Sequence, residues 1–326
     1  RQHTAPGALN PASLSRRAKL LLSFAIVYLV WGSSYLVTKL GVMALPPFLF
    51  GAVRFITGGL LLFTVASLLR RQRGESIARP TGREWRHIAV VGLCVVFISN
   101  SASVWGLQHV PSYQAALLSV SSSFWIPVLG LLGARAEPIS PRSALGLLIG
   151  IGGTVLIALP ASAGAETTAP SALWPTLSIL VGCLGWSAGT IYLRNVNTSL
   201  DVMSFTALHM LCGGLMMLLL ALLFGDTHRW QWDFQGLAAL AYMIVFSSCI
   251  AYTAFAWLSV NVTPAQLATY GFVNPVIAIL LGWWVLDEKL GALRIVGTLI
   301  VLGGLLLIHS SRMRSAPATS APGGTT

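Results

Sequence analysis

Ten apolar stretches of roughly twenty residues each dominate this chain, separated by short breaks at proline, glycine or charged residues. A helix needs about 20 apolar residues to cross ~30 Å of hydrocarbon, because it rises about 1.5 Å per residue. Membrane strands are shorter and alternate polar with apolar residues, which these stretches do not. The pattern therefore predicts ten transmembrane helices, numbered here as spans 1 to 10. Their approximate limits are 18–39, 46–69, 86–108, 111–133, 142–159, 172–193, 202–224, 235–259, 264–286 and 291–311.

The composition excludes the common soluble classes. Only 9% of the residues are charged and 55% are hydrophobic, whereas a soluble domain carries roughly 25% charged residues on its surface. The net charge of +11 would indicate a nucleic-acid binder if the protein were soluble. In a membrane protein, the same excess indicates Lys and Arg gathered in cytoplasmic loops.

The positions of the basic residues predict the orientation. If the N-terminus is cytoplasmic, fifteen of the 20 Lys and Arg residues fall in cytoplasmic segments and three in external ones. The positive-inside rule then predicts that both termini are cytoplasmic, in a multi-pass protein of the inner (plasma) membrane. The cytoplasmic set is Arg1, Arg16, Arg17, Lys19, Arg70, Arg71, Arg73, Arg79, Arg83, Arg86, Arg135, Arg142, Arg194, Arg312 and Arg314; the external set is Arg229, Lys289 and Arg294.

The two halves of the chain resemble each other when one is shifted by about 151 to 155 residues. Each half holds five spans, an odd number, so the second half enters the membrane from the opposite side. The superposed pairs are Trp31 with Trp186, Arg54 with His209, Gly58-Gly59 with Gly213-Gly214, Trp105 with Trp257, Gly146 with Gly297, and Gly152-Gly153 with Gly303-Gly304.

The predicted fold class is thus an all-α integral membrane protein, with ten transmembrane helices arranged as two inverted five-helix repeats. The expected order is a cytoplasmic tail 1–17, a first repeat 18–160, an external linker 161–171, a second repeat 172–311 and a cytoplasmic tail 312–326. Both tails are expected to be disordered. Inverted repeats favour two states of opposite access, and secondary transporters place their substrate at the repeat interface near the midplane. The repeat therefore predicts transport by alternating access.

Both halves carry short motifs of tryptophan, glycine, proline and basic residues. They are Trp31-Gly32-Ser33-Ser34, Lys39-Leu40-Gly41, Pro46-Pro47, Arg54-Phe55 and Gly58-Gly59-Leu60 in the first half, and Ala251-Tyr252, Pro264-Ala265-Gln266, Asn274-Pro275 and Glu288 in the second. These motifs resemble those of EamA-type transporters in the drug/metabolite transporter superfamily. The resemblance implies a ten-helix bundle that exports small metabolites such as amino acids, with a central cavity lined mainly by spans 1, 3, 4, 6, 8 and 9. It leaves the substrate open among amino acids, purines, sugars, vitamins and cationic drugs.

Acidic residues are absent from the predicted spans, since all nine lie in loops or at span ends. Small four-helix relatives in the superfamily that exchange protons for cationic drugs carry a buried glutamate in their first helix. Span 1 here offers Trp31, Ser33, Ser34 and Tyr35 instead. A cation in the core would lack a counter-charge, which disfavours exchange of lipophilic cations for protons.

Two basic residues lie inside predicted spans, Arg54 in span 2 and His209 in span 7. Each could contact a substrate carboxylate or phosphate, or have a structural role. Because spans 2 and 7 are peripheral in the family, we expect a structural role for Arg54 and hydrogen-bonded packing for His209.

Polar and aromatic side chains in the other spans are candidates for substrate binding. An amide or hydroxyl in hydrocarbon needs a hydrogen-bond partner, and aromatic rings can enclose the apolar part of a substrate. The candidates are the aromatic residues Trp31, Tyr35, Trp105, Trp186, Tyr252, Trp257 and Tyr270 and the polar residues Ser34, Asn100, Ser103, Ser123, Thr269 and Asn274.

The chain lacks the phosphate-binding motif G-x-x-x-x-G-K-[ST] and the hydrolase motifs H-E-x-x-H and G-x-S-x-G, so we expect neither an enzyme nor an ATP-driven pump. Its four cysteines lie in spans without C-x-x-C spacing, and no metal, disulfide or cofactor is expected. The predicted function is secondary transport that exports small metabolites, amino acids first and aromatic ones among them.

Several alternatives stay open. They are a multidrug or organic-cation exporter of the same fold, a sugar or nucleoside carrier, and a passive channel. The expected partners are a small-molecule substrate and the lipid bilayer, without nucleic acid or ATP, and both a monomer and a homodimer are compatible with the sequence.

Overall fold

The computed structural model describes residues 15–75, 79–131, 139–159, 173–262, 264–267 and 269–315, and within these ranges every regular element is a helix. We number the α-helices in chain order. They are α1 (Arg16–Ala44), α2 (Pro47–Gln72), α3 (Gly82–Val91), α4 (Ser99–Leu107), α5 (Ser112–Ser119), α6 (Ser122–Gly130), α7 (Pro141–Ala158), α8 (Leu173–Arg194), α9 (Val202–Leu223), α10 (Phe234–Tyr242), α11 (Tyr252–Asn261), α12 (Pro264–Leu267), α13 (Tyr270–Leu286) and α14 (Ala292–Ser315).

Within the described ranges, seven helical stretches are long and apolar enough to cross a membrane, so the protein is a multi-pass membrane protein. Two of them join shorter helices through a segment of π-helix, Gly92–Ile98 between α3 and α4 and Met243–Ala251 between α10 and α11. The seven are Arg16–Ala44, Pro47–Gln72, Gly82–Leu107, Pro141–Ala158, Leu173–Arg194, Val202–Leu223 and Phe234–Phe255.

Of the other three predicted spans, two are interrupted, and the third has a shorter apolar part, Ala292–Ile308. Span 4 is divided into α5 and α6 at Val120 and Ser121, whose N–H groups bond three residues back to Leu117 and Leu118, as in a tight turn. Span 9 is divided into α12 and α13, and span 10 corresponds to α14. The count of ten spans therefore stays a prediction.

Local sequence explains where the first helices begin and end. Ser15 caps α1 by accepting a hydrogen bond from the N–H of Ala18 at 3.2 Å. The helix stops at Ala44 because Pro46 and Pro47 follow, and the residue before a proline is biased away from helical geometry. Pro47 then occupies the first position of α2, where its missing N–H costs nothing.

Glycines let pairs of helices approach closely. A Cβ at Gly153 of α7 would lie 2.8 Å from the carbonyl oxygen of Gly297 in α14. Near the other end of the same pair, a Cβ at Gly146 would lie 2.7 Å from the carbonyl oxygen of Gly304. In lipid, helices lack a hydrophobic driving force for association. Small residues at such interfaces let the backbones approach closely, so that van der Waals packing holds the helices together instead. We call this contact the α7–α14 seam.

Carboxylates and one lysine join the loops at one end of the bundle, which we call the Glu288 end. The Glu288 carboxylate accepts hydrogen bonds from the N–H of Ser112 at 2.7 Å and from its hydroxyl at 2.9 Å. Lys39 Nζ donates to the carbonyl of Leu107 at 2.7 Å, and Asp226 accepts from the N–H of Phe48 at 3.0 Å. These contacts tie α5, α1 and α2 to other parts of the chain.

The opposite end, which we call the Glu84 end, is also tied by carboxylates. Glu84 accepts hydrogen bonds from the hydroxyl and the N–H of Ser199, at 2.9 and 2.8 Å. Arg70 pairs with Asp201 at 2.9 Å. Partial burial raises the pKa of Asp201, but hydrogen bonds from Ser204 and the charge of Arg70 outweigh it and hold that pKa below its usual range.

Some predictions fall outside the described residues. These are the linker 161–171, Glu137, and all of the tails except 15–17 and 312–315. Disorder predicted at Arg16 and Arg17 is wrong, because α1 already begins at Arg16, after its N-cap Ser15. α14 continues to Ser315, and the C-terminal segment predicted to be disordered, 316–326, lies outside the described residues.

Candidate functional site

A cavity of about 210 Å³ lies inside the bundle. It is lined by α1, α4, α5, α6, α8, α11 and α13, by the second π segment, and by one residue of α2. Ten of the candidate binding residues line it, and Arg54 is the residue from α2. The ten are Trp31, Ser34, Tyr35, Asn100, Ser103, Ser123, Trp186, Tyr252, Tyr270 and Asn274.

Trp31 is the centre of an aromatic wall. Its ring meets Tyr252 edge-on, with centroids 5.4 Å apart, and Tyr270 edge-on at 5.7 Å. Phe255 packs on the same indole at 4.9 Å. Edge-to-face pairs contribute about 0.5–1.5 kcal/mol each beyond the area that they bury. The wall therefore fixes α1, α11 and α13 against one another and offers a rigid aromatic surface.

Most polar groups around the cavity bond first to nearby backbone. Asn100 donates its amide N–H to the carbonyl of Val95 at 3.0 Å, and Ser103 donates to the carbonyl of Ser99 at 2.7 Å. Ser34 donates to the carbonyl of Trp31 at 2.7 Å. Each hydroxyl oxygen and the Asn100 carbonyl keep acceptor capacity, so these groups can still receive hydrogen bonds from a ligand.

Tyr35 links two of the lining helices. Its hydroxyl, on α1, donates to Ser119 Oγ on α5 at 2.6 Å, and Ser119 in turn donates to the carbonyl of Ala116. This chain of hydrogen bonds holds the phenol ring in place.

Asn274 is different, because its amide oxygen Oδ1 has no partner among the described residues. The side chain is 6% exposed and lies in α13 just before Pro275. Among the described residues, no group donates a hydrogen bond to its buried Oδ1. Leaving such an acceptor unsatisfied costs about 1–3 kcal/mol, so Asn274 is suited to accept a hydrogen bond from a ligand in the cavity.

The two basic residues within predicted spans lie in different surroundings. Arg54 lines the cavity and donates to Ser248 Oγ at 3.1 Å and Ser247 Oγ at 3.2 Å. His209 is 3% exposed, does not line the cavity, and pairs its Nδ1 with the carbonyl oxygen of Phe205 at 3.1 Å. The structure thus places Arg54 at the cavity and His209 in packing away from it.

Three candidate residues do not line the cavity. The Trp105 ring packs against His109, with centroids 5.4 Å apart. Trp257 borders an apolar groove on another side of α11. The Thr269 hydroxyl is paired with the Tyr28 hydroxyl at 2.5 Å. All three are near lining elements, but their side chains have other neighbours.

The cavity also includes small hydroxyl residues that were not among the candidates. Helical spacing could have found three of them, because residues four apart share a face. Thr38 follows Ser34 by four residues, and Ser99 and Ser119 precede Ser103 and Ser123 by four. The added residues are Thr38, Ser99, Ser119, Ser122 and Ser247.

The electrostatics of the cavity are simple. Arg54 is the one charged side chain among its described lining residues, and no carboxylate is among them. No group of three or more His, Cys, Asp or Glu residues in the described ranges could hold a metal ion. The site can therefore offer hydroxyls, amides, aromatic faces and one positive charge to a ligand.

Comparison with known proteins adds independent findings. The sequence profile described as the EamA-like transporter family matches residues 18–159 and 173–310. The "uncharacterized inner membrane transporter YedA" of Escherichia coli (strain K12) is 29% identical over 285 residues, which cover 86% of this chain and 88% of YedA. An "uncharacterized transporter" of Archaeoglobus fulgidus is 23% identical over 290 residues, covering 89% of this chain and 97% of the relative.

One solved crystal structure is similar over nearly the whole chain. It superposes with a TM-score of 0.62, at 23% identity, and the match covers 93% of this chain and 100% of the other. At this identity, the likeness shows a shared fold alone.

Proposed function

The chain belongs to the EamA-like transporter family, and from this membership we propose that it is a secondary transporter that exports small metabolites, amino acids first, by alternating access. The observation that carries the proposal is the cavity, which combines an aromatic wall with unfilled hydrogen-bonding capacity inside an apolar bundle. A protein that only packed against lipid would have no need of polar groups there.

Contacts between helices support two inverted five-helix repeats. Gly59 approaches Leu211, and Gly214 approaches Ile56. The shift of 155 residues that superposes the glycines also superposes Ile56 on Leu211, so the contact is reciprocal. The α7–α14 seam behaves in the same way, since Gly146 with Gly304 and Gly153 with Gly297 exchange places under the shift of 151. Reciprocal contacts of this kind are the mark of an interface with two-fold symmetry.

Two inverted halves supply a mechanism for transport. Each half can adopt the conformation of the other, which gives two states with access from opposite sides of the membrane. In our proposal the substrate binds in the cavity, against the aromatic wall that Trp31 of the first half forms with Tyr252 and Tyr270 of the second, and beside Asn274. Separation of the halves at one end at a time then moves the substrate across without an open pore.

The lining favours small zwitterionic or neutral substrates. The aromatic wall would enclose an apolar side chain, and Asn100, Ser103 and Asn274 would hydrogen-bond the polar groups. The volume of about 210 Å³ is below the range of roughly 300–1,000 Å³ for pockets that bind drug-sized ligands. Without a carboxylate in the described lining, a cationic drug would lack a counter-charge.

We further propose that the transporter lies in the inner (plasma) membrane with both termini in the cytoplasm, as the distribution of basic residues predicts. The Glu84 end of the bundle is then cytoplasmic, because arginine-rich loops lie there. The Glu288 end faces outward, and export runs from the Glu84 end to the Glu288 end.

The decisive experiment is counterflow in proteoliposomes that contain the full chain. Vesicles are loaded with one unlabelled amino acid, and uptake of the radiolabelled compound is measured with and without a pH gradient. We expect saturable counterflow for at least one amino acid. Movement of a sugar or an organic cation, with no amino acid moving, would refute the proposed substrate class. Non-saturable flux without counterflow would indicate a channel.

A further inference from the structure

Arg54 is a buried positive charge that has no negatively charged partner among the described residues. The side chain is 8% exposed and lies within α2, where a charge is expensive. Its Nε and Nη2 donate to the hydroxyls of Ser248 and Ser247, and its guanidinium carbon lies 4.5 Å from the centroid of the Phe55 ring. Among the described residues, no group accepts a hydrogen bond from Nη1, and no carboxylate lies within ion-pair distance of the guanidinium.

Neutral partners do not replace a counter-ion. Two hydroxyls and a ring satisfy some of the donors, but they leave the net charge in place. A buried charge is normally paired, because removing it from water costs several kcal/mol. Arg54 faces the cavity, so the space for an anion is the same space that we assign to the substrate.

We propose that Arg54 binds a carboxylate of the transported substrate; this rests on the proposed function, since it takes the cavity as the transport site. The guanidinium suits the task, because its planar fork can donate two parallel hydrogen bonds to a carboxylate. The substrate carboxylate then supplies the counter-charge that the described lining lacks. Ser247 and Ser248 hold the fork in position, on the π segment that faces α2.

The rest of the cavity complements the other groups of an amino acid. The buried Oδ1 of Asn274 has no protein donor in the described ranges and can accept a hydrogen bond from a substrate ammonium. The faces of Trp31, Tyr252 and Tyr270 can also stabilise an ammonium or enclose an apolar side chain. A cation together with acceptors that still have hydrogen-bonding capacity, Asn274 Oδ1 among them, matches a zwitterion.

A phosphate ester fits this site less well than a carboxylate. It carries about 1.5 to 2 negative charges near pH 7, whereas Arg54 is the one cation among the described residues that line the cavity. The proposal therefore commits to a carboxylate, and a phosphate compound becomes one arm of the test.

The test measures ligand binding to the purified full-length protein by thermal stabilisation, which works with probe compounds before the natural substrate is identified. The carboxylate probes are L-phenylalanine and 3-phenylpropionate. Phenylalaninamide and phenethylamine lack the carboxylate, and phenyl phosphate carries the other anion. Since a hydrogen bond to a charged group is stronger than a neutral one, we expect the carboxylates to bind about 10- to 100-fold more tightly than the compounds that lack one.

Substitutions test whether Arg54 causes the preference for probes that carry a carboxylate. We expect R54Q to lose the preference for carboxylates and R54K to keep part of it. The matched control is R294Q, because Arg294 is also 8% exposed but bonds to the Tyr113 hydroxyl and does not line the cavity. This control should keep the full preference. If R54Q does not fold, R54K and the comparison of probes on the unaltered protein decide the question.

Each contrary result refutes the proposal. Equal binding of phenylalanine and its amide, tighter binding of phenyl phosphate, absence of carboxylate binding, or an unchanged preference in R54Q would each do so. A purely structural Arg54 would lower stability without ligand and leave the ratio between probes unchanged. Counterflow is measured separately, so an amino-acid transporter whose Arg54 does not bind the carboxylate would show counterflow of an amino acid and still fail this binding test.

Discussion

Trp31 contacts three aromatic rings and lines the cavity, so it links the packing of three helices to the surface offered to a substrate. We predict that Trp31→Leu, which keeps an apolar side chain but removes the edge-to-face contacts, raises the half-saturating substrate concentration in counterflow by about tenfold, given the value of an aromatic pair. Trp284→Leu is the control, because that indole is 77% exposed on the outside of the bundle. An equal effect of both substitutions would argue against a binding role for Trp31.

Asn274 and Gln114 are both buried amides, but their hydrogen bonding differs. We predict that Asn274→Leu leaves thermal stability unchanged or raises it, because the Oδ1 that it removes is unsatisfied, and that it lowers counterflow at least tenfold. Gln114 is also buried but donates to the carbonyl of Ile157 and to Thr176 Oγ1. Gln114→Leu should therefore reduce stability by about 1 kcal/mol. Unfolding of Asn274→Leu at a much lower temperature would show that the amide is structural.

Residue type alone predicts part of the cavity. Trp31, Tyr252 and Tyr270 are aromatic residues with a polar group inside predicted spans, and the structure brings them together. Trp105 and Trp257 are of the same type and turn elsewhere. Trp105 follows Ser103 by two residues, and Trp257 follows Tyr252 by five, so each lies on a different face of its helix from the residue that lines the cavity. Residue type alone does not tell which face of a helix is turned toward the cavity.

Elements are predicted best where prolines or caps fix their ends. The sequence places the start of span 2 at 46 and span 5 over 142–159, and the helices are Pro47–Gln72 and Pro141–Ala158. It does not predict the interruptions of spans 4 and 9, since Val120 and Ser121 carry no strong turn signal. Tertiary contacts decide the backbone there, as when Tyr35 bonds to Ser119 at the end of α5.

The α7–α14 seam allows a prediction with controls in adjacent positions. A Cβ at Gly153 or Gly304 would collide with the backbone of the facing helix, whereas a Cβ at Gly152 or Gly303 would meet nothing within 4 Å. We predict that Gly153→Leu and Gly304→Leu each destabilise the protein by about 1–3 kcal/mol or more, as overpacking does. Gly152→Leu and Gly303→Leu should leave the melting temperature within a few degrees.

Equal melting temperatures for all four variants would show that the helices can separate without cost. The measurement is thermal unfolding in detergent, followed by tryptophan fluorescence. Reciprocal effects at Gly153 and Gly304 would also support the proposed symmetry between the two halves.

At the scale of the whole molecule, the charged residues that are too few to cover a soluble surface are gathered at the two ends. The orientation that they predict is tested with single cysteines, placed in a background without Cys94, Cys183, Cys212 and Cys249. We predict that an impermeant maleimide labels intact cells at Trp232→Cys, on the Glu288 end, and not at Asn195→Cys, on the Glu84 end. The opposite pattern would invert the proposed direction.

Alternating access requires the two halves of the chain to separate at the Glu288 end when substrate is released. Glu288 belongs to the second half of the chain and Ser112 to the first, and their side chains are 2.9 Å apart. If the halves must part here to release substrate, a disulfide between Ser112→Cys and Glu288→Cys in the cysteine-free background should abolish counterflow, and a reductant should restore it. The two single substitutions are the controls: Glu288→Cys alone measures the loss of the carboxylate that caps α5, and Ser112→Cys alone measures the loss of the serine hydroxyl. Undiminished counterflow with the disulfide formed would mean that substrate leaves by another route, and the repeat interface would then be a static support around the cavity.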